Sequence, residues 1–229
     1  MVTQNAPDLT HVDTWVFDLD NTLYAARHSL FDQVEVRITQ YVQRFLDLDH
    51  DKARVLQKQY FLDHGTTLNG LVELHACEPD DYLAFVHDID YSPIPPDPDL
   101  DHALSRLPGR KLIFTNGDVP HAERAMERLG VAHHFEAVFD IVASDYIPKP
   151  EPSVYDVLME RHGIHGPSTV FFEDMARNLE PAKARGMTTV WIEGHSDYAR
   201  AGVDGGYIDH HASELTPWLT DLLPHLETA

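Results

Sequence analysis

Cysteine and positive charge are the two features that this sequence has least of. Cys77 is the single cysteine in 229 residues, which excludes an internal disulfide, a CxxC pair and a cysteine-rich zinc site. Lysine and arginine number 17 against 38 aspartates and glutamates, so the formal net charge is −21. A surface this acidic repels phosphodiester backbones and anionic membranes. We therefore expect no nucleic-acid polymer and no membrane as a partner, whereas a small anion at a local positive site is compatible with the charge.

Long apolar runs and targeting signals are also missing. No stretch approaches the roughly 20 apolar residues that a membrane-spanning helix requires. The first nine residues, MVTQNAPDL, contain neither a basic segment nor an apolar one, so they do not predict a secretion signal. These absences predict a cytoplasmic protein. A hydrophobic content of 43% is enough for a buried core, and the length suits one domain or a core domain with a smaller module.

Five short apolar runs predict buried β-strands. Each run is rich in β-branched and aromatic residues and is apolar on both faces, which is typical of a parallel sheet covered on both sides. Helical patterns lie between the later runs, over residues 121–130, 151–163 and 176–186. This alternation predicts an α/β fold with a doubly wound parallel sheet. The predicted strands are TWVFDL (14–19), KLIFT (111–115), AVFDIV (137–142), TVFFE (169–173) and TTVWI (188–192).

Residues 30–90 interrupt this alternation. Apolar residues between 31 and 45 recur at spacings of three and four, which indicates one face of a helix. We therefore predict an all-helical cap over residues 25–91, inserted between two segments of the catalytic core, 1–24 and 92–229. The four prolines of 91–99 predict a stiff return linker. Further helical patterns cover 52–61, 68–74 and 80–89.

Polar residues follow the predicted strands at the point where each strand ends. The carboxyl ends of parallel strands form the ligand-binding edge of an open α/β sheet, so we expect these side chains to converge there. Four carboxylates and one ammonium at one edge repel each other unless a divalent cation binds, and oxygen ligands of this kind suit Mg²⁺. The converging residues are Asp18, Asp20, Thr115, Asn116, Gly117, Lys149, Glu173 and Asp174.

This set of residues predicts phosphoryl chemistry. Asp18 can attack phosphorus as a nucleophile and form an aspartyl-phosphate, while Asp20 moves the proton of the leaving oxygen and of the attacking water. Lys149 and the metal offset the developing charge. Thr115 and the amides of Asn116 and Gly117 are the predicted substrate ligands. Asp18, Asp20 and Asp174 are the predicted metal ligands, with Glu173 as an additional candidate.

Four motifs in the same order resemble the haloacid dehalogenase-like hydrolase superfamily. They are DLDNT (18–22), FTN (114–116), the lysine of PKP (148–150) and FEDMARN (172–178). The resemblance implies a Rossmann-like core, and the predicted helical insert lies where that family places its cap. Dehalogenase members lack an acid two residues after the nucleophile, so the presence of Asp20 favours a phosphatase.

Within the superfamily, three segments resemble the pyrimidine 5′-nucleotidase group: residues 15–24, 57–71 and 114–130. This implies hydrolysis of a pyrimidine nucleoside 5′-monophosphate, a small phosphate monoester, with the substrate read by the cap loop around His64–Asn69. Thr66 and Thr67 are equally consistent with helix N-caps. A phosphosugar phosphatase or mutase with the same catalytic core remains an alternative, as does a non-catalytic module that binds a phosphorylated ligand. The sequence leaves a homo-oligomer open.

Overall fold

The computed structural model describes residues 7–194 and 196–226. Residues 1–6, which begin the segment that does not predict a secretion signal, lie outside the described residues. Residues 195 and 227–229 of the predicted core lie outside them as well. The described part forms a six-stranded sheet in the order β3-β2-β1-β4-β5-β6, in which every neighbouring pair is parallel. This confirms the predicted doubly wound α/β fold. The strands are β1 (Thr14–Phe17), β2 (Arg110–Phe114), β3 (Ala137–Phe139), β4 (Thr169–Glu173), β5 (Thr188–Ile192) and β6 (His210–Ala212).

Helices cover both faces of the sheet because alternate strand residues point to opposite sides. On β1, Trp15 and Phe17 pack with α5, α6 and α10 in one core layer, whereas Val16 packs with α7 and α8 in the other. None of the helices in the described residues is long and apolar enough to cross a membrane. The helices are α1 (Leu30–Leu46), α2 (His50–His64), α3 (Thr67–His75), α4 (Pro79–Val86), α5 (Pro98–Arg106), α6 (Val119–Leu129), α7 (Pro152–His162), α8 (Leu179–Ala184), α9 (Asp197–Arg200) and α10 (Leu215–Leu226).

The helices α1–α4 follow β1 and share a separate apolar cluster. Tyr41, Leu71 and Leu83 are buried in this cluster, and Ile141 from the loop after β3 joins it. These four helices therefore pack on one another around an apolar core of their own. The presence of helices here agrees with the predicted insert, while its domain boundaries stay a prediction.

Three of the described strands and α-helices were not predicted from the sequence: β6, α5 and the four-residue α9. β6 has only three residues and no apolar run, and it forms by pairing with β5 at the sheet edge. Helix α5 begins inside the segment that was predicted to be a linker, because Asp97 accepts a hydrogen bond from the amide of Leu100 and Pro98 suits the first helical turn. The predicted helix over 176–186 is a 3₁₀ turn (Ala176–Asn178) followed by α8.

Candidate active site

The carboxyl end of the sheet brings the chemistry-bearing side chains together. Asp18 directly follows β1, and its amide donates to the carbonyl of Phe172 on the neighbouring β4 at 2.9 Å. Thr115 directly follows β2 and is tied to β3 through the carbonyl of Phe139 at 3.0 Å. Glu173 is the last residue of β4. Parallel pairing therefore places these strand ends at one edge, as the sequence predicted.

Lys149 lies between two of the buried carboxylates. Its Nζ is 2.7 Å from Asp18 Oδ1, 2.6 Å from Glu173 Oε2 and 2.8 Å from the carbonyl oxygen of Phe114. Burial lowers the pKa of an ammonium, but the two carboxylates outweigh this and raise the pKa of Lys149 above its ordinary value. Lys149 is therefore a fixed positive charge beside Asp18.

Asn116 holds the backbone of Lys149 in place. Its side-chain oxygen accepts from the amide of Lys149 at 2.8 Å, and its side-chain nitrogen donates to the carbonyl of Lys149 at 3.3 Å. The amide of Gly117 donates to Thr115 Oγ1 at 2.9 Å. The turn after β2 thus shapes the strand end and supports the loop that carries the lysine.

Three buried carboxylates, Asp18, Glu173 and Asp174, offer oxygens that all lie within 4.8 Å of one another. Burial, followed by repulsion from Glu173, raises the pKa of Asp18 to about 7, although Lys149 opposes the shift. Burial, followed by repulsion from Glu173 and Asp18, also raises the pKa of Asp174 well above its usual range. Such a donor set consists only of carboxylate oxygens that repel one another, and it fits a divalent cation that prefers oxygen ligands.

The carboxylate of Asp20 forms hydrogen bonds with His121 and Tyr24. Its Oδ1 lies 2.8 Å from His121 Nε2 and accepts a second hydrogen bond from the hydroxyl of Tyr24. Burial alone tends to raise the pKa of Asp20, but the charge of His121 and the two hydrogen bonds lower it below its ordinary value. Among the described residues, the group of three close carboxylates does not contain Asp20, so its role as a metal ligand stays a prediction.

His121 and Tyr24 were not singled out from the sequence. Tyr24 lies two residues after the first motif and His121 lies in the first turn of α6, and neither of them had a role predicted from the sequence. Their signal is weak because a histidine on a helix is usually either exposed or a hydrogen-bonded core residue. The position of His121 three residues after Asp118, the N-cap of the helix that follows the second motif, is the feature that could have marked it.

The cap loop lies close to Lys149. Gly65 ends α2 with a φ of +80°, and a Cβ added there would come within 3.0 Å of Pro148 Cγ, next to Lys149. Thr66 is the N-cap of α3, since its hydroxyl accepts from the amide of Asn69 at 3.1 Å. Phe61 of α2 also contacts the core, because the guanidinium of Arg177 lies 4.7 Å from its ring centre. The helical segment thus approaches the strand ends through α2 and the loop that follows it.

These features define a class of α/β protein in which a helical segment follows the central strand and buried carboxylates gather at the strand ends. Residues 12–186 match the model of the haloacid dehalogenase-like hydrolases, and the chain belongs to this family. The resemblance predicted from the sequence motifs is thereby confirmed.

Relatives with phosphate-related names support the family assignment. Phosphate metabolism protein 8 of Saccharomyces cerevisiae is 27% identical over 225 residues, which are 90% of this chain and 69% of the yeast protein. Fructose-1-phosphate phosphatase YqaB of Escherichia coli is 33% identical over 80 residues, which are 34% of this chain and 41% of that protein.

Solved structures share the fold. A phosphatase of this family from Thermococcus onnurineus has a TM-score of 0.59 at 20% identity, covering 94% of this chain and 98% of that chain. The L-2-haloacid dehalogenase from Xanthobacter autotrophicus has a TM-score of 0.56 at 19% identity, again covering 94% and 98%. Because phosphatases and dehalogenases both have this fold, the likeness does not choose between their reactions.

Proposed function

We propose that the protein is a Mg²⁺-dependent phosphatase that hydrolyses a small phosphate monoester. The observation that carries this proposal is the position of Lys149 between Asp18 and Glu173, with Asp174 beside them. The positive charge of Lys149 opposes the rise in the pKa of the buried Asp18 and attracts an anionic substrate. The names of two of the curated relatives, phosphate metabolism protein 8 and fructose-1-phosphate phosphatase YqaB, support this proposal.

The proposed reaction has two steps. In the first, a carboxylate oxygen of Asp18 attacks phosphorus, the phosphorus–oxygen ester bond breaks, and Asp20, which takes up a proton when the substrate binds, transfers that proton to the leaving oxygen. In the second, water attacks the phosphorus of the aspartyl-phosphate and gives a proton to Asp20. This releases inorganic phosphate and restores the carboxylate of Asp18. Throughout both steps Lys149 offsets negative charge next to Asp18.

Asp18 and Asp174 would hold the metal, with Asp20 as the third predicted ligand and Glu173 close enough to support them. When bound, Mg²⁺ supplies charge neutralisation for the phosphoryl group and for the carboxylates that repel each other in its absence. Thr115 and the turn through Asn116 and Gly117 are the proposed substrate contacts at the adjoining strand end.

Within this class, the favoured substrate is a pyrimidine nucleoside 5′-monophosphate. This finer proposal rests on the resemblance of three segments to the pyrimidine 5′-nucleotidase group. The approach of Phe61 and Gly65 to the core at the end of α2 supports it, because these residues lie where a leaving group would meet the helical segment. A phosphosugar is the second candidate, favoured by the similarity to a fructose-1-phosphate phosphatase.

The test is phosphate release from a panel of nucleoside monophosphates and sugar phosphates, with Mg²⁺ and with a chelator. Asp18→Asn serves as the inactive variant, since an amide is a poor nucleophile and a poor metal ligand. We expect uridine and cytidine monophosphates to be the best substrates, and both the chelator and the substitution to abolish release. Leading activity on sugar phosphates would overturn the nucleotide proposal alone, whereas retained activity in Asp18→Asn would overturn the mechanism.

A further inference from the structure

A buried histidine that the proposed mechanism does not use lies directly behind Asp20. His121 has no exposed surface, and its Nε2 is 2.8 Å from Asp20 Oδ1. His121 lies on α6 and Asp20 follows β1, so this contact joins two distant parts of the chain. A contact between a buried imidazole and the carboxylate proposed to move protons can determine where that carboxylate points.

The hydrogen bonds around His121 fix the orientation of its ring. An ionised carboxylate only accepts hydrogen bonds, so His121 Nε2 carries the hydrogen that Asp20 receives. At the other ring nitrogen, the hydroxyl of Tyr91 lies 2.8 Å from Nδ1. Tyr91 is itself placed by the carbonyl of His87 at 3.2 Å. Both ring nitrogens therefore have a partner, and the imidazole cannot turn without losing one of them.

The helical segment supports the same ring from its face. His87, at the end of α4, stacks on His121 with ring centres 4.3 Å apart and an angle of 11° between the planes. Asp118 contacts both histidines. Its Oδ1 lies 2.9 Å from His87 Nδ1 and accepts a hydrogen bond from the amide of His121 at 3.0 Å. The ring of His121 is thus held by α4 as well as by α6.

The two donors to Asp20 meet at the same oxygen. His121 and the hydroxyl of Tyr24 both bond to Oδ1. With the lone pairs of Oδ1 occupied in this way, Oδ2 is the oxygen that exchanges a proton with the substrate. A general acid accelerates a reaction only if its proton is within hydrogen-bond reach of the leaving oxygen, so its orientation affects the rate.

We propose that His121 is a positioning residue, which together with Tyr24 turns Asp20 so that Oδ2 faces the leaving group. This inference rests on the proposed phosphatase function. It adds that the contact between His87 and His121 links the helical segment to the residue that moves the proton. The competing interpretation is a core histidine that only contributes to stability.

The leaving group of the substrate separates these two interpretations. An alkyl ester such as a nucleoside monophosphate needs a proton on its leaving oxygen, whereas the nitrophenolate of p-nitrophenyl phosphate leaves without one. The kcat/KM value reports steps through cleavage of the ester bond and excludes hydrolysis of the phospho-enzyme. We expect His121→Leu to lower kcat/KM for the alkyl ester by about 100-fold, and for p-nitrophenyl phosphate by less than about tenfold.

Three further variants make the comparison specific. His121→Gln keeps an N–H donor and should recover part of the activity on the alkyl ester. His134→Leu is the matched control, because His134 Nε2 forms a similar bond to Asp101 Oδ1 at 2.7 Å outside the candidate site. We expect this control to leave kcat/KM unchanged for both substrates. In an Asp20→Asn background, His121→Leu should cause no additional loss.

An equal fall for both substrates, or no fall for either, would overturn the inference, since loss of stability alone does not depend on the leaving group. If His121→Leu does not fold, Tyr24→Phe provides the same test, because it removes the other donor to Oδ1. It should also lower kcat/KM more for the alkyl ester than for p-nitrophenyl phosphate. Absence of ester hydrolysis by the wild-type protein would instead contradict the proposed function. Ester hydrolysis by the wild-type protein, with the same ratio of the two kcat/KM values in the variants, would contradict only the role of His121.

Discussion

The ammonium of Lys149 lies 2.7 Å from Asp18 Oδ1, and it is the cation that the two buried carboxylates Asp18 and Glu173 share. Removing one partner of a buried ion pair leaves an uncompensated charge, which is more costly than losing a surface pair. The same contact places a positive charge next to the proposed nucleophile. Stability and activity therefore both depend on this lysine.

Lys149→Met should lower the free energy of unfolding by about 3–5 kcal/mol in the metal-free protein. It should lower kcat by at least about 100-fold, because the negative charge next to Asp18 is no longer offset. Denaturant unfolding and steady-state kinetics measure the two effects.

The matched control is Lys111→Met. Lys111 is also a buried lysine, but its Nζ donates to the carbonyls of Leu107 at 2.8 Å and Gly109 at 3.2 Å, at the opposite end of β2. We expect this variant to lose about 1–3 kcal/mol of stability and to keep its kcat. A similar loss of kcat in both variants would show that the effect of Lys149 is structural.

Trp191 supports Asp174, a proposed metal ligand, through the backbone. Its indole nitrogen donates to the carbonyl of Asp174 at 2.7 Å, and its side chain is buried. Trp191→Phe leaves that carbonyl without its partner, so we expect a loss of about 1–3 kcal/mol and a weaker affinity for Mg²⁺. The change in melting temperature across a Mg²⁺ titration measures both.

Trp15→Phe is the control for this variant. The indole nitrogen of Trp15 donates to the carbonyl of Pro108 at the same distance of 2.7 Å, near the start of β1 and away from the carboxylates. Its removal should lower stability by a similar amount and leave the affinity for Mg²⁺ unchanged. Equal affinities in the two variants would argue that the position of Asp174 does not depend on Trp191.

Gly65→Ala tests whether the cap loop affects the position of Lys149. The φ of +80° disfavours any residue with a Cβ, and the new methyl group would come within 3.0 Å of Pro148 Cγ. We expect a loss of about 1 kcal/mol of stability from the backbone and a fall of about tenfold in kcat/KM as Pro148 and Lys149 shift.

Gly130→Ala is the control that separates the effect of backbone strain from the effect of the contact with Pro148. Gly130 ends α6 with a φ of +83°, and no atom lies within 4 Å of a Cβ added there. This variant should show the same backbone strain with no change in kcat/KM. If Gly65→Ala also keeps its kcat/KM, the contact between the loop and Pro148 is not important for catalysis.

The strand-end residues could be predicted from the sequence because each follows a short apolar run. The run that contains Phe17 is buried in the central strand, which leaves Asp18 at the sheet edge, and the same holds for Glu173 at the end of β4. Helix α1 was predicted by apolar residues that recur at helical spacing, and helical patterns also predicted α2 and α6. The fold class and the position of these carboxylates therefore follow from local patterns.

The contacts around Asp20 could not be predicted in this way. The bond between His121 and Asp20 joins residues 101 positions apart, and its existence depends on how α6 packs against the loop after β1. The stacking of His87 on His121 depends in addition on the helical segment. β6 was missed for a related reason, since a three-residue strand is stabilised by its neighbour and has no periodicity of its own.

Stabilisation by Mg²⁺ should depend on pH. In the metal-free protein the pKa of Asp18 is raised from 3.8 to about 7, and that of Asp174 is raised as well. The folded state thus retains protons that the unfolded state has released, so metal-free stability decreases as the pH rises from about 4 through the raised pKa values of Asp18 and Asp174. Mg²⁺ must displace more of these protons at low pH than at high pH.

We therefore expect Mg²⁺ to raise the melting temperature more at about pH 8 than at about pH 5.5, with each value compared with that in a chelator. Asp174→Asn removes one carboxylate, so it should reduce the Mg²⁺ effect at the higher pH and make the metal-free protein more stable there. Equal Mg²⁺ effects at the two pH values would mean that the metal does not compete with protons for Asp18 and Asp174. The metal would then have to bind outside this carboxylate cluster.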